Sequence, residues 1–208
     1  MTSEATVFVV DDDVGVCQSL HDLLESAGLA VETFTASEEF LAVYDPARAG
    51  CLVLDVRLRH GKNGLDLQDE LRRRKATLPI IVLTGHGNVP TSVRALKAGA
   101  IDFLQKPAPP KVLLGRIRAA LEIDRQARAT ATEHEGVIDH LAHLTARERE
   151  VMELLVTGKT SKEIAGAMHV SVRTVEGHRR RVFSKMTVSS AAQLVRTVLS
   201  AQGADKHV

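Results

Sequence analysis

Four short apolar runs punctuate the first half of the chain: Val7-Phe8-Val9-Val10, Cys51-Leu52-Val53-Leu54, Ile80-Ile81-Val82-Leu83 and Ile101-Asp102-Phe103-Leu104. The first three are continuous and rich in β-branched residues, which predicts strands buried on both faces. A weaker run, Ala30-Val31-Glu32-Thr33-Phe34, alternates as a more exposed strand does. Between the runs the period becomes helical. Val14, Cys17, Leu20, Leu24 and Ala27 share one face, and Gly28 supplies a left-handed residue past the end. Ser37 is placed to cap the next helix, and Val93, Leu96 and Lys97 lead to a terminating Gly99. Leu113, Ile117, Leu121 and Asp124 then recur at helical spacing behind Pro109-Pro110. Strands alternating with helices predict a parallel sheet covered on both faces.

From Leu144 the pattern is helical throughout. Thr145-x-x-Glu148, Thr160-x-x-Glu163 and Ser190-x-x-Gln193 fit reciprocal capping boxes, and Ser171 can cap a further helix. Ile164, Ala165 and Met168 give one short helix its buried face, and His169-Val170 make a tight turn. The next helix, about Val172–Met186, buries Val175, Val182 and Met186 or Phe183 and displays Arg173, Arg179, Arg180 and Arg181. The last buries Leu194, Val195 and Val198. Two short helices joined tightly, the second rich in arginine, form a helix-turn-helix suited to a major groove.

Charge sharpens the division. Residues 1–121 carry 14 basic and 15 acidic side chains, 122–143 carry 2 and 5, and 144–208 carry 11 and 6. A neutral front, an acidic joint and a basic end place any polyanion at the end. No apolar run approaches the ~18–20 residues that span a bilayer, and the N-terminus lacks a basic-then-apolar signal, so a cytoplasmic protein is expected. Cys17 and Cys51 cannot make a disulfide scaffold, and His134, His140 and His143 lack metal-site spacing. Gly158-Lys159-Thr160 is not a phosphate loop, because Glu153 stands where its first glycine belongs.

In parallel sheets the working site lies outside the carboxyl ends of the strands. That rule selects Asp11 and Asp12 after the first run, Asp55, Thr84 and Lys106. Crowded carboxylates require a counter-ion, and a hard cation such as Mg²⁺ takes one or two of them with waters and a phosphate oxygen. A carboxylate is also a competent phosphoryl acceptor, which a lysine and a threonine can assist. Asp13 is read as the cap of the first helix.

The blocks VFVVDDD, LVLDVRL, IVLTGHG and AGAIDFLQKP resemble the receiver domain of two-component response regulators, in the FixJ branch of the FixJ/NarL group. The resemblance implies a doubly wound, flavodoxin-like domain of five parallel strands over residues 1–121. It also implies Asp55 as phosphoacceptor and Mg²⁺ held by Asp12, Asp55 and the Arg57 carbonyl, with Asp11 acting directly or through a water. Thr84 and Lys106 would bind the phosphoryl group, and Thr84 and Phe103 would form the switch. The loop after Asp55 departs from the pattern: Arg59 replaces a proline, the expected glycine is Gly64, one residue late, and Asn88 stands where an aspartate is frequent.

The stretch from Leu144 to Met186 resembles the LuxR-type DNA-binding domain, a four-helix unit expected over 142–203. It implies base-facing positions Glu176, Gly177 and Arg180, with Arg180 the main reader. Thr160, Lys162, Arg173, Thr174, Arg179, Arg181 and Lys185 would meet the DNA backbone, and Leu194 and Val198 would form dimer contacts. Residues 122–141 would link the domains, extending the last receiver helix or acting as a tether, and 204–208 would be a disordered tail. The expected protein is a transcription regulator without enzymatic turnover beyond handling its own phosphoryl group. Its partners would be a sensor histidine kinase, double-stranded DNA, a second copy on phosphorylation, and RNA polymerase, with no membrane. The alternatives are a DNA-binding regulator independent of phosphorylation and a phosphoryl sink.

Overall fold

The structure is a computed structural model that describes residues 5–58, 63–85 and 89–204. Arg59, Asn88 and positions 205–208 of the expected tail lie outside the described residues. The chain divides into two compact units, Met1–Arg128 and Ala129–Val208.

In the first unit, strands β1 (Thr6–Val10), β2 (Ala30–Phe34), β3 (Gly50–Leu54), β4 (Ile80–Thr84) and β5 (Asp102–Gln105) form one sheet in the order β2-β1-β3-β4-β5. Every pairing is parallel. Helices α1 (Val14–Ser26), α2 (Ser37–Val43), α3 (Gly64–Arg73), α4 (Val89–Lys97) and α5 (Pro110–Ala142) make the connections. Because side chains alternate across a strand, each continuous apolar run feeds two cores. Phe8, Val10, Leu52, Leu54 and Val82 face Phe40, Leu67, Leu71 and Ala95 of α2–α4. Val7, Val9, Cys51, Val53, Ile81 and Leu83 face Leu20 and Leu24 of α1 and Leu113, Ile117 and Ala120 of α5.

Local signals mostly act as the pattern predicts. Asp13 caps α1, accepting from Gly15 N (2.8 Å) and Val16 N (3.2 Å), and Gly28 and Gly99 take positive φ of 75° and 101°. Two expectations fail. Val14 is 69% exposed, because it sits in the first turn of α1 beyond the edge of the sheet's apolar layer. Ser37 is not the cap of α2. Ala36 is, and the turn is tied instead by Thr35, whose N–H donates to Glu39 (3.0 Å).

The backbone beyond Ile123 is helical to Ala142, and the first unit runs to Arg128, past the boundary expected at 121. The α5 stripe of Leu113, Ile117 and Ala120 ends in a buried carboxylate, Asp124. Asp124 accepts from Gly50 N (2.9 Å) and Arg128 Nε (2.8 Å). The Arg128 guanidinium also donates to the carbonyls of Pro46 (3.0 Å), Ala47 (3.0 Å) and Arg48 (2.6 Å). The helix is stapled to the loop before β3 by a desolvated ion pair.

In the second unit, α6 (Ala146–Val156), α7 (Ser161–Met168), α8 (Val172–Lys185) and α9 (Ala191–Ala204) enclose Val151, Met152, Leu155, Ile164, Val175, Val182 and Met186. Val137 and Leu141, from the end of α5, pack against the same core. Thr145 with Glu148, and Thr160 with Glu163, close complete capping boxes. The third box is shifted: Ser190 Oγ accepts from Gln193 N (3.2 Å), but Gln193 Oε1 accepts from Ser189 N (2.9 Å). His169, at φ 55°, makes the left-handed turn from α7 into α8.

Leu194 and Val198 require a correction. They are 0% and 2% exposed, one helical turn apart on the inward face of α9. As core residues they cannot also be dimer contacts. Leu199, 53% exposed, lies on the outward side.

Candidate functional site

The carboxyl ends of the strands assemble the first site. Asp11 follows β1 and is 2% exposed, and Asp55 follows β3 and is 8% exposed. Thr84, also buried, ends β4, and Lys106 follows β5. Lys106 N donates to the Thr84 carbonyl (2.9 Å), and the Lys106-Pro107 peptide bond is cis. Lys106 Nζ pairs with Asp11 Oδ2 and with Asp55 Oδ2 (2.7 Å). Asp55 Oδ1 accepts from Arg57 N (3.0 Å), and Asp11 Oδ1 from Asp13 N (3.1 Å). Phe103 is half-buried, beside Val82 in the sheet register.

Gly64, at the start of α3, packs against the backbone of Asp55. A Cβ there would lie 2.0 Å from the Asp55 carbonyl oxygen, and Gly64 N donates to the Val56 carbonyl (3.0 Å). Only glycine permits so close a backbone approach. The one-residue shift therefore still places the glycine directly against the Asp55 backbone.

Oxygens of Asp11, Asp12 and Asp55 lie within 4.8 Å of one another. At that spacing two carboxylates repel by about 3–4 kcal/mol at an effective dielectric of about 20. Burial pushes the Asp11 carboxyl above its ordinary range, although its bond to Lys106 opposes this. Burial pulls on Lys106 in the other direction, yet its hydrogen bonds to Asp11 and Asp55 hold the ammonium above its usual value. Among the described residues, one lysine faces three carboxylates, which leaves the pocket net negative. Converging oxygens with that residual charge fit a hard divalent cation such as Mg²⁺.

The second site is the arginine-rich α8. Arg173, Thr174, Arg180 and Arg181 are exposed, as are Thr160 and Lys162 near the start of α7. Two expected DNA contacts are engaged within the domain. Lys185 Nζ donates to buried Glu148 (2.7 Å) and to the His143 carbonyl (3.0 Å), so two of its donors are used within the domain. That bond, with the Thr145 N–H, lowers the Glu148 carboxyl to about 2. Arg179 lies over the Phe183 ring (5.2 Å) and bonds Ser161 Oγ (3.3 Å). Glu176 accepts from Ser161 Oγ and lies 3.8 Å from Arg179. Sequence reasoning missed Ser161, whose only signal is a second hydroxyl beside the capping Thr160.

Among the described residues, no helix is long and apolar enough to cross a membrane. Residues 7–118 match the family described as response regulator receiver domain, and 142–198 match bacterial regulatory proteins, luxR family. The chain is 42% identical over 201 residues to the transcriptional regulatory protein FixJ of Azorhizobium caulinodans, spanning 97% of this chain and 95% of that protein. It is also 42% identical over 195 residues to nodulation protein W of Bradyrhizobium diazoefficiens, spanning 94% and 86%. A solved structure of the response regulator StyR superposes with a TM-score of 0.86 at 40% identity, covering 94% of this chain and 98% of that one. Full-length FixJ from B. japonicum gives 0.59 at 36% identity, covering 97% and 98%.

Proposed function

The chain belongs to the response regulators that join a receiver to a LuxR-type DNA-binding domain, it serves two-component transcription regulation, and we propose that it does so by accepting a phosphoryl group on Asp55. The observation that carries this reading is the Lys106 ammonium shared between Asp55 and Asp11 in a buried acidic pocket. Asp55 Oδ attacks the phosphorus of a phosphohistidine on the sensor kinase. The O–P bond forms as the P–N bond breaks, and the imidazole leaves with a proton. Lys106 then pairs with a phosphoryl oxygen and Thr84 donates a hydrogen bond to another. Asp11, Asp12, Asp55 and the Arg57 carbonyl would hold Mg²⁺, which neutralises the charge gathering on the transferred group.

The groove beside Lys106, lined by Val16, Leu20, Leu23, Pro107, Ala108 and Leu113, supplies an apolar surface for the kinase domain that presents the histidine. An acyl phosphate adds charge that must bias a two-state element, and Thr84 with Phe103 is that element. Val93, Leu96 and Ile101 are 43%, 48% and 40% exposed and form the apolar surface through which two phosphorylated receivers pair. Pairing brings two recognition helices about 34–36 Å apart, one DNA turn, over an imperfect palindrome. Arg180 reads a base edge, while Arg173, Thr174, Arg181, Lys162 and Thr160 hold phosphates. The outward face of α9, with Leu199, supports pairing of the output domains. RNA polymerase is the downstream partner in the cytoplasm.

The test is operator binding and oligomeric size with acetyl phosphate and Mg²⁺. The unaltered chain should dimerise and bind more tightly, and Asp55→Asn should do neither. An equal response from Asp55→Asn would overturn the reading in favour of a regulator independent of phosphorylation. Labelling without any DNA binding would favour a phosphoryl sink.

A further inference from the structure

We propose that Ser161, Glu176 and Arg179 form a latch between the two helices of the helix-turn-helix, and that Glu176 is a positioning residue for the recognition helix and reads no base. The inference rests on α7 and α8 being the DNA-binding pair. Glu176 shares its exposed side of α8 with Arg180, one turn further on, and from sequence it looks like a base reader. Its Oε1 is already committed within the domain. Ser161, the first residue of α7, donates its hydroxyl to Glu176 Oε1, and Arg179 lies 3.8 Å from the same oxygen.

Arg179 closes the arrangement. It donates to Ser161 Oγ (3.3 Å), and its guanidinium rests on Phe183, itself packed against the domain core. The three polar groups therefore contact one another across the α7–α8 crossing, through Glu176 Oε1 and Ser161 Oγ. A free carboxylate on this face would be repelled by every phosphate it approached, whereas a carboxylate shared by a hydroxyl and a guanidinium presents little net charge. The latch thus keeps a negative group harmless on a phosphate-facing surface. It also fixes the angle at which α8 offers Arg180.

Four variants of the full chain separate the roles: Ser161→Ala, Glu176→Ala, the double variant, and Glu176→Gln. Each is measured for affinity to the operator and for base preference on randomised duplexes. Ser161→Ala and Glu176→Ala should each weaken operator binding about three- to ten-fold, and the double variant no more than either alone. The favoured base at every position should stay the same. Glu176→Gln keeps an acceptor for Ser161 and should restore most of the affinity. A changed favoured base at one position in Glu176→Gln would overturn the latch, and so would losses that multiply in the double variant. If the unaltered chain preferred no sequence, the DNA-binding reading would fall, and the latch with it.

Discussion

The acidic pocket and the recognition face are both built from charged side chains, yet they are assembled in opposite ways. In the pocket, Lys106 and Asp11 meet from 95 positions apart, because each follows a strand of one parallel sheet. On the recognition face, Ser161 and Arg179 are 18 positions apart and meet because two short helices cross. The pocket concentrates acidic charge, with oxygens of Asp11, Asp12 and Asp55 within 4.8 Å of one another. The helix-turn-helix spends part of its charge internally, in Lys185 on Glu148 and Arg179 on Glu176, and leaves the remainder for a polyanion. Charge that a site needs must be left over after folding has taken its share.

The strongest way to break that contrast is to remove Lys106, the cation paired with both Asp11 and Asp55. Lys106→Met leaves Asp11 and Asp55 buried and unpaired, and should cost about 3–5 kcal/mol in urea unfolding without divalent ions. Added Mg²⁺ should recover part of the loss. No loss would mean that the carboxylates are hydrated and that the pocket stores no charge. The staple at the other end of the sheet gives a comparison without function. Arg128→Ala should cost about 3 kcal/mol by stranding Asp124, and Mg²⁺ should recover none of it. A neutral Arg128→Ala would show that the helix end contributes nothing to the first unit.

The helix-turn-helix side is tested by pH and salt. The Glu148 carboxyl titrates near 2 when folded, below its ordinary 4.5. A depressed acid stabilises the fold fully above its unfolded value, so the second unit should lose stability as pH falls from about 4.5 towards 2. Lys185→Met should flatten that acid limb while leaving the salt slope of DNA binding unchanged. Arg181→Gln should reduce the slope by about 0.9 for one phosphate contact. A reduced slope in Lys185→Met would return that residue to the DNA interface. The smallest effect belongs to Gly177, where an added Cβ meets nothing within 4 Å. Gly177→Ala should raise the stability of α8 by about 0.5–1 kcal/mol, read as a higher unfolding midpoint.

How much of this the sequence discloses follows the same division. Strand ends are legible because short continuous runs rich in β-branched residues, set between helical segments, read as doubly buried strands, and the end of such a strand locates Asp11, Asp55 and Thr84 without any contact being known. The caps Asp13, Thr145, Thr160 and Ser171 are legible because a cap is a local bond. What a side chain does with its spare donors is not local. Nothing in the spacing says that Lys185 turns to Glu148, that Leu194 and Val198 fill a core shared with Val137, or that Asp124 is held by Gly50 N, 74 positions away. Helical period reports which face a residue occupies. Only packing reports whether that face is already taken.

Phosphoryl transfer to Asp55 itself is the step on which the switch rests. Treating the Mg²⁺-loaded chain with a phosphohistidine donor, reducing with borotritide and mapping the labelled peptide reads this directly. Tritium should appear at position 55 alone, and none in Asp55→Asn. Label at Asp11 or Asp12 in the unaltered chain, or no label at all, would contradict it.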